Sequence, residues 1–322
     1  MNDIQHTQML LGAAMVMAAL GTLLLALLGR WIGAWITLLA ILAALLICYQ
    51  PLINASLFAG FKTDLLRRIL IGLIPFTLGL LVVSRPNKIA AGRILFALLA
   101  PSLLLWWVFA HFDLAVPRQT LLLHKIVPIG LAIFIAWLLI EPLAVKSPGA
   151  AAPIVIGAFS GGLAFLLMLS AENQAGLIAP IIPATALGAL LAAIAASILK
   201  SPITFARGPV LLWLTSIAAL FAFLWLDTDQ LPTRDLYWTA TAPLLAWIPQ
   251  WKPIHRRNAW QRESLRLLLV LVPVVIAIIL AFNQHKKEAA ESGDEYGQVQ
   301  SPAPMCPSQI PMPNTTMPPT IT

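Results

Sequence analysis

Ten apolar runs of 15 to 23 residues follow one another between Met9 and Phe282, and they constrain this chain more than any motif in it. In the first half they are Met9 to Leu28, Trp31 to Tyr49, Ile69 to Ser84, Ile94 to Phe112 and Ile126 to Pro142. The second half adds Pro153 to Ala171, Leu177 to Leu199, Pro209 to Leu226, Leu236 to Gln250 and Leu265 to Phe282. Crossing about 30 Å of hydrocarbon as helix takes about 20 residues, so most of these runs match a membrane span. The runs are unbroken, whereas a soluble amphipathic helix shows an apolar stripe repeating every 3.6 residues or so. With 60% hydrophobic and 10% charged residues among 322, a water-soluble fold could not hide the apolar surface. The expected fold is therefore all-α, a polytopic transmembrane bundle of about ten spans with the lipid bilayer as its solvent.

Leu236 to Gln250 is the exposed assumption, because it is short and holds Pro243 and Pro249; as a re-entrant segment it would move the carboxyl terminus across the membrane. Leu52 to Phe61 is apolar but too short to cross, which suits an interfacial segment. Counting Lys and Arg in alternate loops assigns twelve of the twenty to one side if the amino terminus lies outside, five of them crowded at Lys252, Arg256, Arg257, Arg262 and Arg266. The positive-inside rule then puts the amino terminus on the periplasmic side of a cell inner membrane. After Phe282 the composition shifts. Residues 284–322 read as a disordered tail, charged from Lys286 to Glu295 and carrying seven prolines from Ser301 to Thr322, also on the periplasmic side. Residues 1–283 form the transmembrane domain.

The same distribution excludes several functions. The basic residues lie in loops and act as topology signals, so no nucleic acid is expected as a partner. Met1 to Gln8 has no Lys or Arg ahead of the first run, which reads as an uncleaved span. Cys48 and Cys306 have no metal-ligand spacing. No GxSxG, HExxH or GxxxxGK[ST] pattern occurs, and an enzyme is not expected; nor are catalytic residues, a cofactor or a metal. No Asp, Glu, Lys, Arg or His falls in the middle of a run, which disfavours ion pumps and carriers built on a buried carboxylate. His111, Asp113 and His124 share one loop but lack ligand spacing, and Glu141 and Glu172, with Asn173 and Gln174, sit at span ends; all read as solvated termini.

Packing signals are richer. Gly157 and Gly161 form a GxxxG, and Ala184, Gly188, Ala192 and Ala196 step by four along the next span, a spacing that lets backbones approach. Pro75, Pro101, Pro180, Pro183, Pro243 and Pro273 fall inside spans, where proline frees carbonyls and kinks helices. Trp31, Trp106, Trp107, Trp225, Trp238, Trp251 and Trp260 lie near span ends, as in interfacial aromatic belts. A shift of 145 residues lays IVPIGLAIFIA from Ile126 on LVPVVIAIILA from Leu271, and Gly12–Ala13 on Gly157–Ala158. Two five-helix halves would be inverted repeats, as in many secondary carriers; chance matches within an Ala-, Leu-, Ile- and Val-rich chain are the alternative.

PVLLWLTSIAAL from Pro209, APLLAWIP from Ala242 and LRLLLVLVPVVIAIILA from Leu265 resemble a group of uncharacterised bacterial ten-span inner-membrane proteins. That resemblance implies the ten-span layout and carries no activity. Span number and the five-plus-five arrangement are similar to the drug/metabolite transporter superfamily in architecture only, since that superfamily is typically inside at both ends. The expected function is a permease-like transporter of a small molecule. The alternative is a non-catalytic scaffold or subunit of a membrane complex, with a membrane-protein partner or a second copy of the chain.

Overall fold

Lipid offers the backbone no hydrogen-bond partner, so an apolar run inside it must close its own N–H to C=O ladder. The computed structural model accordingly forms ten α-helices and no strand among the residues it describes, which are 3–32, 35–53, 65–84, 90–110, 121–147, 149–169, 174–200, 203, 205, 208–227, 241–250 and 258–298. In chain order they are α1 (Asp3–Ile32), α2 (Trp35–Ile53), α3 (Leu65–Val83), α4 (Ala90–Phe109), α5 (Val127–Lys146), α6 (Ala151–Leu169), α7 (Gln174–Ile178), α8 (Ile181–Ile198), α9 (Pro209–Asp227) and α10 (Ala259–Gln298). Among the described residues, seven stretches are long and apolar enough to cross a membrane: Thr7–Leu28, Leu66–Val83, Ala91–Phe109, Leu122–Lys146, Ala151–Leu169, Gly176–Ile198 and Trp260–Gln284. Ile36–Cys48 and Pro209–Ala222 are shorter apolar helices. The protein is thus a multi-pass membrane protein. Contacts divide the chain into Met1–Phe282 and Asn283–Thr322; the described part of the second unit is the last stretch of α10.

α9 is the hub of the first unit. It touches every helix from α2 to α8, and Val210 through Ile217 are all buried. A helix that is apolar all round suits such a position, because no face of it needs water. α1 packs along α8 and α2, α6 on α8, α3 on α4, and α5 on α4 and α9. The small-residue stripe of α8 is buried, as its spacing predicts. Four hydroxyls within the bundle donate to the preceding turn, Thr22 to the Ala18 carbonyl, Thr77 to Leu73, Ser160 to Ile156 and Ser216 to Leu212, whereas the buried hydroxyls of Thr37 and Thr215 have no partner among the described residues. Between helices, the Trp213 indole Nε1 of α9 donates to Thr185 Oγ1 of α8 at 2.8 Å.

Prolines shape three helix ends. Pro128 cannot donate to the carbonyl of His124, and the chain ahead of it widens into a π-turn over Leu122–Ile126, where the Val127 N–H reaches back to the Leu122 carbonyl. Pro180 stands in the turn that divides α7 from α8, so the Gly176–Ile198 span is discontinuous near one end. Pro142 lies inside α5, which continues past the expected end at Pro142 to Lys146. α10 begins six residues ahead of the expected Leu265, and that difference matters for Arg266. Of the less secure segments, 228–240 and most of Leu52 to Phe61 lie outside the described residues.

Candidate functional site

The end of α5, residues 241–250 and the start of α10 meet in a polar junction. Residues 241–245 are helical, but the ladder fails at its end because Pro249 has no N–H. The Trp247 N–H turns to the Leu244 carbonyl at 3.2 Å and the Gln250 N–H to the Trp247 carbonyl at 2.9 Å, the tight 3₁₀ pattern over Ile248–Gln250. In a continuing α-helix the Gln250 N–H would have paired with the Ala246 carbonyl; instead Arg266 Nε donates to that carbonyl at 3.3 Å. An orphan helix-end carbonyl is thus capped by a cation from another segment.

Arg266 is completely buried. Its Nη1 donates to Glu263 Oε2, one turn back on α10, while Glu263 Oε1 also faces Arg262 Nε at 3.5 Å. One carboxylate therefore bridges two guanidinium groups, which offsets part of the desolvation cost that a lone buried charge would carry. The Arg266 Nη2 group is buried with no acceptor among the described residues. It can donate to a water or to an oxygen of a ligand.

Two further contacts tie α5 to 241–250. The Trp247 Nε1 donates to the Leu139 carbonyl at 3.0 Å, in the turn that Pro142 opens, and Lys146 Nζ stands 5.2 Å from the Trp247 ring centroid. Gln250 Nε2 donates to Ser147 Oγ at 2.7 Å. Glu141, which precedes Lys146 on α5, is buried at 9% exposure.

Charged residues at span ends were expected to be solvated. Arg266 and Glu141 are not, because α10 starts before Arg266 and α5 runs beyond Glu141, so both lie within packed helix. His124 is exposed in the π-turn ahead of α5. His111, Asp113, Glu172 and Asn173 lie outside the described residues, and Gln174 opens α7. Among the described residues no group of three His, Cys, Asp or Glu is placed to hold a metal ion. Cys48 is a free, buried thiol whose Sγ lies 3.6 Å from the Ala14 carbonyl oxygen. The signal for the junction was present in the sequence as Arg262, Glu263 and Arg266 at helical spacing behind Pro249. Comparison with protein-family models, with curated proteins and with solved structures finds no match to this chain.

Proposed function

We propose that this chain is a permease-like transporter of a small molecule, a ten-span bundle in a bacterial-type inner membrane with its amino terminus and Pro-rich tail on the periplasmic side. The buried guanidinium of Arg266 carries the reading. It sits six residues into the Trp260–Gln284 span, about 9 Å along the helix axis, with a carbonyl and a carboxylate as partners and one amino group left over. An arginine inside a span is costly to keep, and where it persists it characteristically marks a substrate or ion path. A scaffold needs only apolar and small-residue packing, which the rest of the bundle already has. Prolines interrupt or bend all three segments that meet there, and the discontinuous span at Ala179–Pro180 is of the kind that forms sites in carriers.

Support for ten crossings comes from the Gln250 to Ser147 hydrogen bond. If α6, the α7–α8 pair and α9 each cross, the chain reaches the face opposite Ser147 at Asp227. Gln250 can return to Ser147 only if the segment 228–250 crosses as well. Ten crossings divide evenly into two five-helix inverted halves, the arrangement shared in architecture with the drug/metabolite transporter superfamily.

The test is flux. Proteoliposomes carrying the full chain are incubated with a small-molecule extract, and their contents are compared by mass spectrometry with those of protein-free liposomes and of liposomes carrying Arg266→Gln. Enrichment of one or a few solutes that disappears with Arg266→Gln is expected. A chain that moves nothing and co-purifies with a stoichiometric membrane partner at native abundance is a scaffold, and the transport reading fails.

A further inference from the structure

The hydrogen bonds of Arg266 go to Ala246 and Glu263 and leave Glu141, the other titratable group buried in a span, without a part in the junction. The sequence offered no carboxylate inside an apolar run, and carriers built on one were disfavoured. The structure places Glu141 within the Leu122–Lys146 span, about 7.5 Å from its end. It continues the inward stripe of Ile133 and Trp137, stepping by four along α5.

α4 and α5 lie in successive spans, so they run antiparallel, and they touch where Gly130 lies against Ser102. Nine residues on from that contact, 102 to 93 and 130 to 139, Arg93 of α4 comes within about 3 Å of the level of Glu141 along the helix axis. Arg93 shares the face of α4 that Ala97 and Pro101 bury, and its Nε is buried with no acceptor among the described residues. The other described elements packed on α5 bring little charge. α6 has no titratable group, α9 has Asp227 alone as its last residue, and His124 and Lys125 stand at the opposite end of the span. The segment 241–250 has none, Lys146 of α5 stands over the Trp247 ring, and Arg266 is paired with Glu263.

We propose that Glu141 carries the proton that couples this transporter to a proton gradient, an inference that rests on the transport reading. A carboxyl held between apolar packing and a guanidinium has a protonation state that depends on which of the two it faces. Carriers and pumps keep their proton-binding carboxylates in such positions. A proton from water at one face binds a Glu141 carboxylate oxygen as solute enters, and it leaves to water at the other face as solute departs. One proton then moves with each solute, and the carboxylate is restored. A carboxylate that served only to hold α5 in the bundle would stay ionised throughout.

Dicyclohexylcarbodiimide, which reacts with protonated carboxyl groups in apolar surroundings, reads the proton without any solute. With the full chain in liposomes, peptide mass spectrometry is expected to find Glu141 labelled, the yield falling severalfold between about pH 5 and pH 8. A Glu141 that is never labelled, or labelled equally at every pH, overturns the proposal. The second arm takes whichever solute the flux comparison identifies and imposes a pH difference of one unit. Accumulation of up to about tenfold per proton is expected, with the protons followed by a trapped pH-sensitive dye. Glu141→Gln should lose both the accumulation and the dye signal, and Glu141→Asp should keep part of each. Accumulation that ignores the gradient, or that survives in Glu141→Gln, overturns the coupling and leaves transport standing. A chain that moves no solute fails the transport reading, and this inference with it.

Discussion

Gly188 of α8 lies against the backbone of Ala19 in α1. A methyl group on it would collide with the Ala19 carbonyl oxygen and stand 2.9 Å from the carbonyl carbon and 3.0 Å from the Cα. Backbone cannot swing aside as a side-chain tip can, so the two helices would have to separate. Gly188→Ala is expected to cost about 1–3 kcal/mol, the range for overpacking a close contact. Gly161 of the GxxxG is the control, because a methyl there meets only Pro183 Cβ at 3.9 Å. Thermal unfolding in detergent checks both, and a Gly188→Ala chain as stable as the Gly161→Ala chain refutes the contact.

Thr185 is the acceptor for a tryptophan that has no water to turn to. Thr185→Val keeps the shape but strands the Trp213 Nε1, and an unsatisfied buried donor costs about 1–3 kcal/mol. Thr185→Ser should retain most of the stability because it keeps the oxygen. The two melting temperatures, measured side by side, separate loss of the acceptor from loss of the methyl.

Glu263 neutralises a charge that is already buried. Glu263→Gln keeps an oxygen that can accept from Arg266 but removes the counter-charge, at a cost of about 3–5 kcal/mol, towards the lower end because Glu263 keeps some access to solvent. Replacing both in Glu263→Met with Arg266→Met should be milder than Glu263→Gln alone, since no uncompensated charge remains. Denaturation of Glu263→Met, Arg266→Met and the double variant forms a cycle; a double variant worse than the sum of its parts excludes the ion pair as described.

The crossing argument makes a covalent prediction. With Cys48 and Cys306 replaced, Ser147→Cys and Gln250→Cys should be joined by a short bifunctional thiol reagent in membranes, because Gln250 reaches Ser147 through the length of its side chain in the native chain. Membrane-impermeant thiol reagents should also label single cysteines at Ala150, three residues past the buried Ser147, and at Gln250 from the same side. Labelling from opposite sides means that 228–250 does not cross.

The fold class was legible because lipid leaves little choice: uninterrupted apolar runs such as Ile69 to Ser84 can only be helices, and α3 covers that run. The α8 stripe was legible for the same reason, since spacing by four defines one helix face. Its partner was not. That Gly188 meets Ala19 depends on which helices become neighbours, and an apolar face carries no address. The junction was missed through a boundary. Arg266 looks like a loop charge when a span is taken to begin at the first long apolar stretch, but Arg262 N–H already bonds the Asn258 carbonyl at 3.1 Å. Helix geometry starts where backbone bonds can form, and lipid-facing hydropathy starts later. Glu141 was misread in the same way, because Pro142 lies within α5 without ending it.

The central position of α9 bears on how the molecule is made. Eight described helices precede it in the chain, seven long ones and the short α7, and every one from α2 onward leans on it. A chain that ends before Pro209 lacks the helix those earlier ones pack against, and lipid or one another must cover the faces it leaves. A nascent chain stalled before Pro209 would therefore be inserted but open, with the faces that later clasp Trp213 turned towards whatever quality-control machinery patrols the bilayer. The centre of this bundle is complete only once its eighth long helix is in place.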